Sequence, residues 1–119
     1  MQGYQLTFFT QQECRHEHEP MGEWLLKFAK QQGAAGATLI NAAEGFGHRG
    51  LFHSAHFFEM ADQPLAVMVS VDERTRQRLL DALAEENINL TYVKVPVEYG
   101  RVGKAASSEA GAYARGHPA

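Results

Sequence analysis

Three glycines, an imidazole and a guanidinium fall close together in this chain, in Gly45-Phe46-Gly47-His48-Arg49-Gly50. Glycine lets a backbone come close to a ligand and turn its N–H groups toward an anion. Arg49 can grip a phosphate through two parallel N–H···O bonds. The same composition suits a plain hairpin turn, so residue type alone leaves two readings open. A second group is Cys14, His16 and His18, alternating in a polar stretch, with His48, His53 and His56 further along. Thiolate and imidazole bind zinc or copper, and an extended Cys-x-His-x-His run can offer two or three ligands. Its spacing fits no zinc-finger pattern, and a hydrated loop accounts for it as well. Arg101 and Lys104 read, on their own, as solvated tail charges.

None of these groups has the form of a catalytic centre. The chain has no nucleophile elbow, no Walker sequence and no metalloprotease motif. Cys14 has no identifiable base to activate it. Glu13, Glu17 and Glu19 are explained by a polar loop, and Glu44 stands apart from them. The expectation is a binding protein and not an enzyme, with no catalytic residue and no resident metal assigned.

The elements that must position these groups follow from periodicity. Tyr4, Leu6 and Phe8 alternate with Gln5 and Thr7, which predicts a strand over 4–10. Residues 11–19 are polar and predict a loop. Pro20 opens a helix whose apolar stripe is Met21, Trp24, Leu25 and Phe28, at i, i+3, i+4 and i+7; Trp24 is thereby a core residue. Gly33 stops that helix. A second strand covers 37–43, and the Gly-rich turn leads into an aromatic arm or hairpin over Leu51–Met60. Residues 65–71, LAVMVSV, are apolar at nearly every position, as in a central strand buried on both faces. Asp72 N-caps a second helix with an inner stripe of Leu79, Leu80 and Leu83. A last strand spans 90–99; Pro96 puts it at an edge, or lies past its paired part.

The order β-α-β-arm-β-α-β is α+β, a ferredoxin-like split βαβ architecture with both helices on one face of an antiparallel sheet. The opposite face carries Gln5, Thr7, Phe9, Ala66, Met68 and Ser70, and burying its apolar members calls for other subunits. Residues 1–100 make one domain. Residues 101–119 are a tail with few large apolar groups, flexible unless a ligand or partner orders it. A net charge of −3 gives no reason to expect nucleic acid. The single cysteine excludes an internal disulfide, no apolar run reaches membrane-spanning length, and the first residues lack the form of a signal peptide. The expected location is the cytoplasm.

One stretch, GAAGATLINAAEGFGHRGLFHSAHFFEM over 33–60, resembles the PII-like proteins of the group called domain of unknown function 190. Gly33, Gly36-Ala37-Thr38, Glu44-Gly45-Phe46-Gly47 and His53 carry the resemblance, together with Gln63-Pro64-Leu65 and Val71-Asp72; it extends over about residues 4–99. It implies a homotrimer with inward-facing sheets and ligands in clefts between subunits. In the PII superfamily the ligands are typically adenine nucleotides, and the T-loop after the second strand responds to them. The resemblance then makes Thr38, Glu44, Gly45, Phe46, Gly47, His48 and Arg49 ligand-binding, with Arg101 and Lys104 reaching a neighbouring subunit's ligand. True PII proteins hold phosphates on a Gly- and Lys-rich loop before the last strand. Here that loop is Glu85-Glu86-Asn87-Ile88-Asn89, acidic and without glycine, which favours AMP, ADP or another small anion over a tightly held triphosphate. The implied role is regulatory, with loop and tail changing order to control a transporter or enzyme. The alternative is a metal-binding or metal-responsive ferredoxin-like trimer of the CutA type, using the Cys and His residues.

Overall fold

A computed structural model describes residues 1–42, 44–46, 52–54 and 63–105. Strand β1 (Gln2–Gln11) is followed by a short ladder of β2 (Arg15–His16) with β3 (Glu19–Pro20), then helix α1 (Met21–Gln31). Next come β4 (Gly36–Asn41), the small pair β5 (Glu44–Phe46) and β6 (Phe52–Ser54), β7 (Pro64–Val71), α2 (Glu73–Ala84) and β8 (Thr91–Glu98). The main sheet is four-stranded in the order β4-β7-β1-β8, and every neighbouring pair is antiparallel. Each helix therefore links two parallel strands with one strand between them, which is the ferredoxin-like arrangement read from the sequence.

Register decides which side chains meet the helices. Leu6 lies between Val69 and Lys94, and Phe8 between Val67 and Tyr92. On β1 and β7 this face is filled by Leu6, Phe8, Leu65, Val67, Val69 and Val71, all buried. Helix α1 packs Met21, Trp24, Leu25 and Ala29 onto it, and α2 adds Leu79 and Leu83. Each buried Val, Leu, Phe or Met side chain among these stabilises the fold by roughly 1.5–3 kcal/mol. Leu80 and Phe28, both on the expected stripes, are only partly buried against this core.

The helix ends follow their local chemistry. Gly33 has φ +92, and the bonds Gly33 N to Lys30 O (3.1 Å) and Ala34 N to Ala29 O (3.0 Å) close a Schellman motif. Arg78 of α2 donates to the Gln32 carbonyl through Nη2 (2.6 Å) and Nε (3.2 Å), so it staples α2 to the negative end of α1. Asp72 N-caps α2 by accepting the Thr75 N–H at 2.8 Å.

Several sequence expectations need correction. Residues 65–71 are buried on one face only: burial alternates strictly along β7, and Ala66, Met68 and Ser70 lie half-buried on the other face. Their small or unbranched apolar groups gave a run that resembles two-sided burial. The second strand ends at Asn41 and not at 43. The polar stretch 11–19 is not all loop, because it contains β2 and the start of β3. Glu44, Gly45 and Phe46 belong to a strand and not to a turn: they pair with Ser54, His53 and Phe52. The expected arm is thus a hairpin where it is described. Pro96 is placed as expected, on edge strand β8. Tyr99 N donates to Met1 O, and bonded pairs alternate along an antiparallel ladder, so Pro96 opposite Tyr4 falls in a non-bonded pair with its nitrogen facing outward.

Candidate functional site

The topology sorts the chain's connections to the two ends of the sheet. At one end lie Gln11, Pro64, Asn41 and Thr91; at the other lie Gln2, Val71, Gly36 and Glu98. The first end gathers the β2–β3 ladder, the step from β4 into β5 and the turn after α2. The second is where the chain leaves β8 toward Arg101 and Lys104. Roughly 25–30 Å of strand separates the two ends.

The expected site residues divide accordingly. Thr38 is exposed on β4, opposite Met68 on the helix-free face. Glu44, Gly45 and Phe46 form β5 just beyond the first end, and the ladder with β6 occupies backbone groups that a turn would have left to a ligand. Gly47, His48 and Arg49 lie outside the described residues, as do His56 and the tail beyond residue 105. Arg101 and Lys104 are exposed at the second end. Among the described residues, one chain therefore does not bring Arg101 and Lys104 to Glu44–Phe46.

The expected Cys14–His16–His18 set is not assembled either. Cys14 is half-buried against the core, and its carbonyl accepts the Met21 N–H at 2.8 Å. His18 sits in the exposed turn between β2 and β3, where Glu17 (φ 52) and His18 (φ 70) both take left-handed backbone. His16 instead turns inward. Its ring meets Trp24 edge-on at 4.4 Å, Trp24 stacks on Phe28 at 4.7 Å, and Nε2 lies 3.0 Å from Glu86 Oε1 and 3.9 Å from Glu17 Oε2. Glu86 belongs to the acidic turn between α2 and β8. Sequence reading missed this pairing, because the partners are 70 residues apart.

A second cluster marks the helix-side edge of the sheet. The Tyr4 ring lies under the Arg76 guanidinium (5.3 Å) and the Lys94 ammonium (5.1 Å). Glu73 pairs with Arg76 and accepts from the Tyr4 hydroxyl. The Tyr4 pKa is raised, first by that hydrogen bond and then by the Glu73 charge; Glu73 is lowered, chiefly by its bond from Arg76. These charges satisfy one another and leave no evident demand for a ligand.

The helix-free face carries Phe9, Ile40, Val93 and Val95, each between 39% and 47% exposed. Together with Ala66, Met68 and Thr7 they make a largely apolar surface across all four strands. Among the described residues, no helix is long and apolar enough to cross a membrane.

The family model of DUF190, an uncharacterized ACR, matches residues 3–95. The chain belongs to the DUF190 family. No curated protein matches its sequence. Its fold is similar to that of CPII, a nitrogen regulatory PII-like protein from Thiomonas intermedia K12 solved with ADP, AMP and bicarbonate. There the TM-score is 0.55 at 16% identity, over 83% of this chain and 91% of that one. A second CPII structure with the same ligands gives 0.51 at 15% identity, over 82% and 97%. A PII-like signaling protein from Thermus thermophilus gives 0.54 at 20% identity, over 81% and 86%. The DUF190 chain thus has the PII-like, ferredoxin-like fold that its sequence pointed to.

Proposed function

We propose that this DUF190 protein is a PII-like regulator that binds an adenine nucleotide or another small anion in clefts between the subunits of a homotrimer. The observation that carries this reading is the split of the expected site. Glu44, Gly45 and Phe46 lie just beyond one end of the sheet, while the chain leaves β8 toward Arg101 and Lys104 from the other, some 25–30 Å away along the strands. A neighbouring copy would bring the two halves together, and the exposed apolar face supplies a surface on which copies can meet. CPII, which shares the fold, was solved with ADP, AMP and bicarbonate, and that supports a nucleotide or small anion as the ligand here. Ligand binding would bias the order of the segment after β4 and of the tail, and so present or hide a surface for a transporter or enzyme. The role is binding and not turnover.

Calorimetric titration of the full chain with AMP, ADP, ATP and bicarbonate, alongside analytical ultracentrifugation, tests this. The expected result is a trimer that binds AMP or ADP at up to one per chain and more tightly than ATP, because Glu85 and Glu86 repel a third phosphate. A trimer that binds none of the four, or a monomer at micromolar concentration, would overturn the reading.

A further inference from the structure

We propose that His16, Glu17 and Glu86 form a site for a divalent transition-metal ion of the zinc class, which clamps the β2–β3 hairpin to the turn after α2. The inference rests on the geometry of a single chain and does not need the nucleotide reading, with which it shares the residue Glu86.

Among the described residues this is the one place where three metal-capable side chains converge, with their ligand atoms all within 4.8 Å of one another. A tetrahedral ion about 2.0–2.1 Å from each ligand atom holds those atoms roughly 3.3 Å apart. His16 Nε2 lies 3.0 Å from Glu86 Oε1 and 3.9 Å from Glu17 Oε2, on either side of that spacing. The adjustment falls on Glu17, whose side chain is 60% exposed in an open turn. His16, by contrast, is held: its side chain is 12% exposed and its ring is braced edge-on by Trp24. Glu86 is placed by its own turn, in which its N–H reaches Leu83 O (3.0 Å) and its carbonyl accepts from Ile88 (2.9 Å).

Charge points the same way. A proton on Nε2 makes one good hydrogen bond, to Glu86, and leaves Glu17 facing it at 3.9 Å. A dication in its place matches both carboxylates while the imidazole stays neutral. The nearby cations are turned elsewhere: Arg15 donates to the His18 carbonyl (2.7 Å), and Lys27 pairs with Glu19 (2.7 Å). One imidazole nitrogen with two carboxylate oxygens suits Zn²⁺, Co²⁺, Ni²⁺ or Mn²⁺ better than Ca²⁺ or Mg²⁺, which take oxygen ligands throughout. Three protein ligands leave a fourth position for water or an incoming anion.

Trp24 is the one tryptophan of the chain and lies against the His16 ring, so its fluorescence reports on the site. Titration of the full chain with Co²⁺ or Ni²⁺ should quench it saturably at one ion per chain, and Zn²⁺ should compete and restore it. Glu17→Gln and Glu86→Gln should each weaken binding at least tenfold, and His16→Ala should abolish it. Cys14→Ser and His18→Ala should leave it unchanged. Glu17 is exposed on a turn, so folding of that variant is not at issue. Absence of saturable quenching, undiminished quenching in both Glu variants, or dependence on Cys14 or His18 in their place would overturn the assignment.

Discussion

Gly3 has no room for a side chain. A Cβ there would stand 2.1 Å from the Val71 carbonyl oxygen and 2.8 Å from the Tyr99 ring, and the first obstacle is backbone. Gly3→Ala should therefore displace β1 and cost about 1–3 kcal/mol in urea unfolding. Gly22 offers the contrast. Its Cβ would meet only Leu39 Cδ1 closely, at 2.9 Å, the far end of a flexible side chain, and helix propensity favours alanine by roughly 0.5–1 kcal/mol. Gly22→Ala should leave stability within about 1 kcal/mol of the parent. Asp72 gives a pH signature. The Thr75 N–H holds its carboxyl below the ordinary value of 3.8, and the neighbouring arginines Arg78 and Arg74 add to this. A depressed pKa contributes stability that is present above the unfolded value and is lost as pH falls through the folded one. Asp72→Ala should cost about 0.5–2 kcal/mol at neutral pH. The gap to the parent should narrow as pH drops below 3.8, which chemical unfolding across that range will show. Arg49→Ala should weaken ADP binding about tenfold or more, because one charge-assisted bond is worth roughly 1.5–3 kcal/mol.

At the scale of elements, the strands and helices with a buried face were legible. Period-2 alternation marked β1, and the 3.6-residue stripe of Met21, Trp24 and Leu25 marked α1, because one-sided burial imposes those periods. Gly33 and Asp72 announced their caps through chemistry that few other residues supply. The β2–β3 hairpin was not legible. Two-residue strands are too short to show a period, and its turn uses Glu17 and His18 at positive φ where glycine or asparagine would have signalled it. Edge strand β8 carries its own test. The nitrogen of Pro96 faces away from β1, so Pro96→Val should change stability by less than about 0.5 kcal/mol. It would restore an outward N–H to the rim of the sheet, and light scattering at high concentration should then detect additional self-association.

For the whole molecule, the sequence implied an apolar face beyond the helices, and Phe9, Val93 and Val95 stand exposed there. The candidate site was legible only as pieces. Residue type marked Arg49, Arg101 and His16, but which pieces meet depends on the sheet order. That order puts β8 beside β1 and sends Arg101 away from β5, while the turn after α2 carries Glu86 to His16. If copies assemble through the helix-free face, Val95→Asp should convert the trimer to monomers in ultracentrifugation while circular dichroism stays like the parent's, since Val95 is 46% exposed in the single chain.

The same strand order has a consequence for how the chain matures on the ribosome. Strand β1 sits between β7 and β8, so both of its partners come from the second half of the chain. Roughly 50 residues separate β1 from β7, and at about 5–20 residues per second they take some 3–10 s to synthesise. Throughout that interval Tyr4, Leu6, Phe8 and Phe9 have no strand to pair with. Contacts this distant in sequence also place spontaneous refolding nearer milliseconds to seconds than microseconds. A nascent chain that presents an unpaired aromatic strand for seconds is a natural client for a chaperone at the tunnel exit.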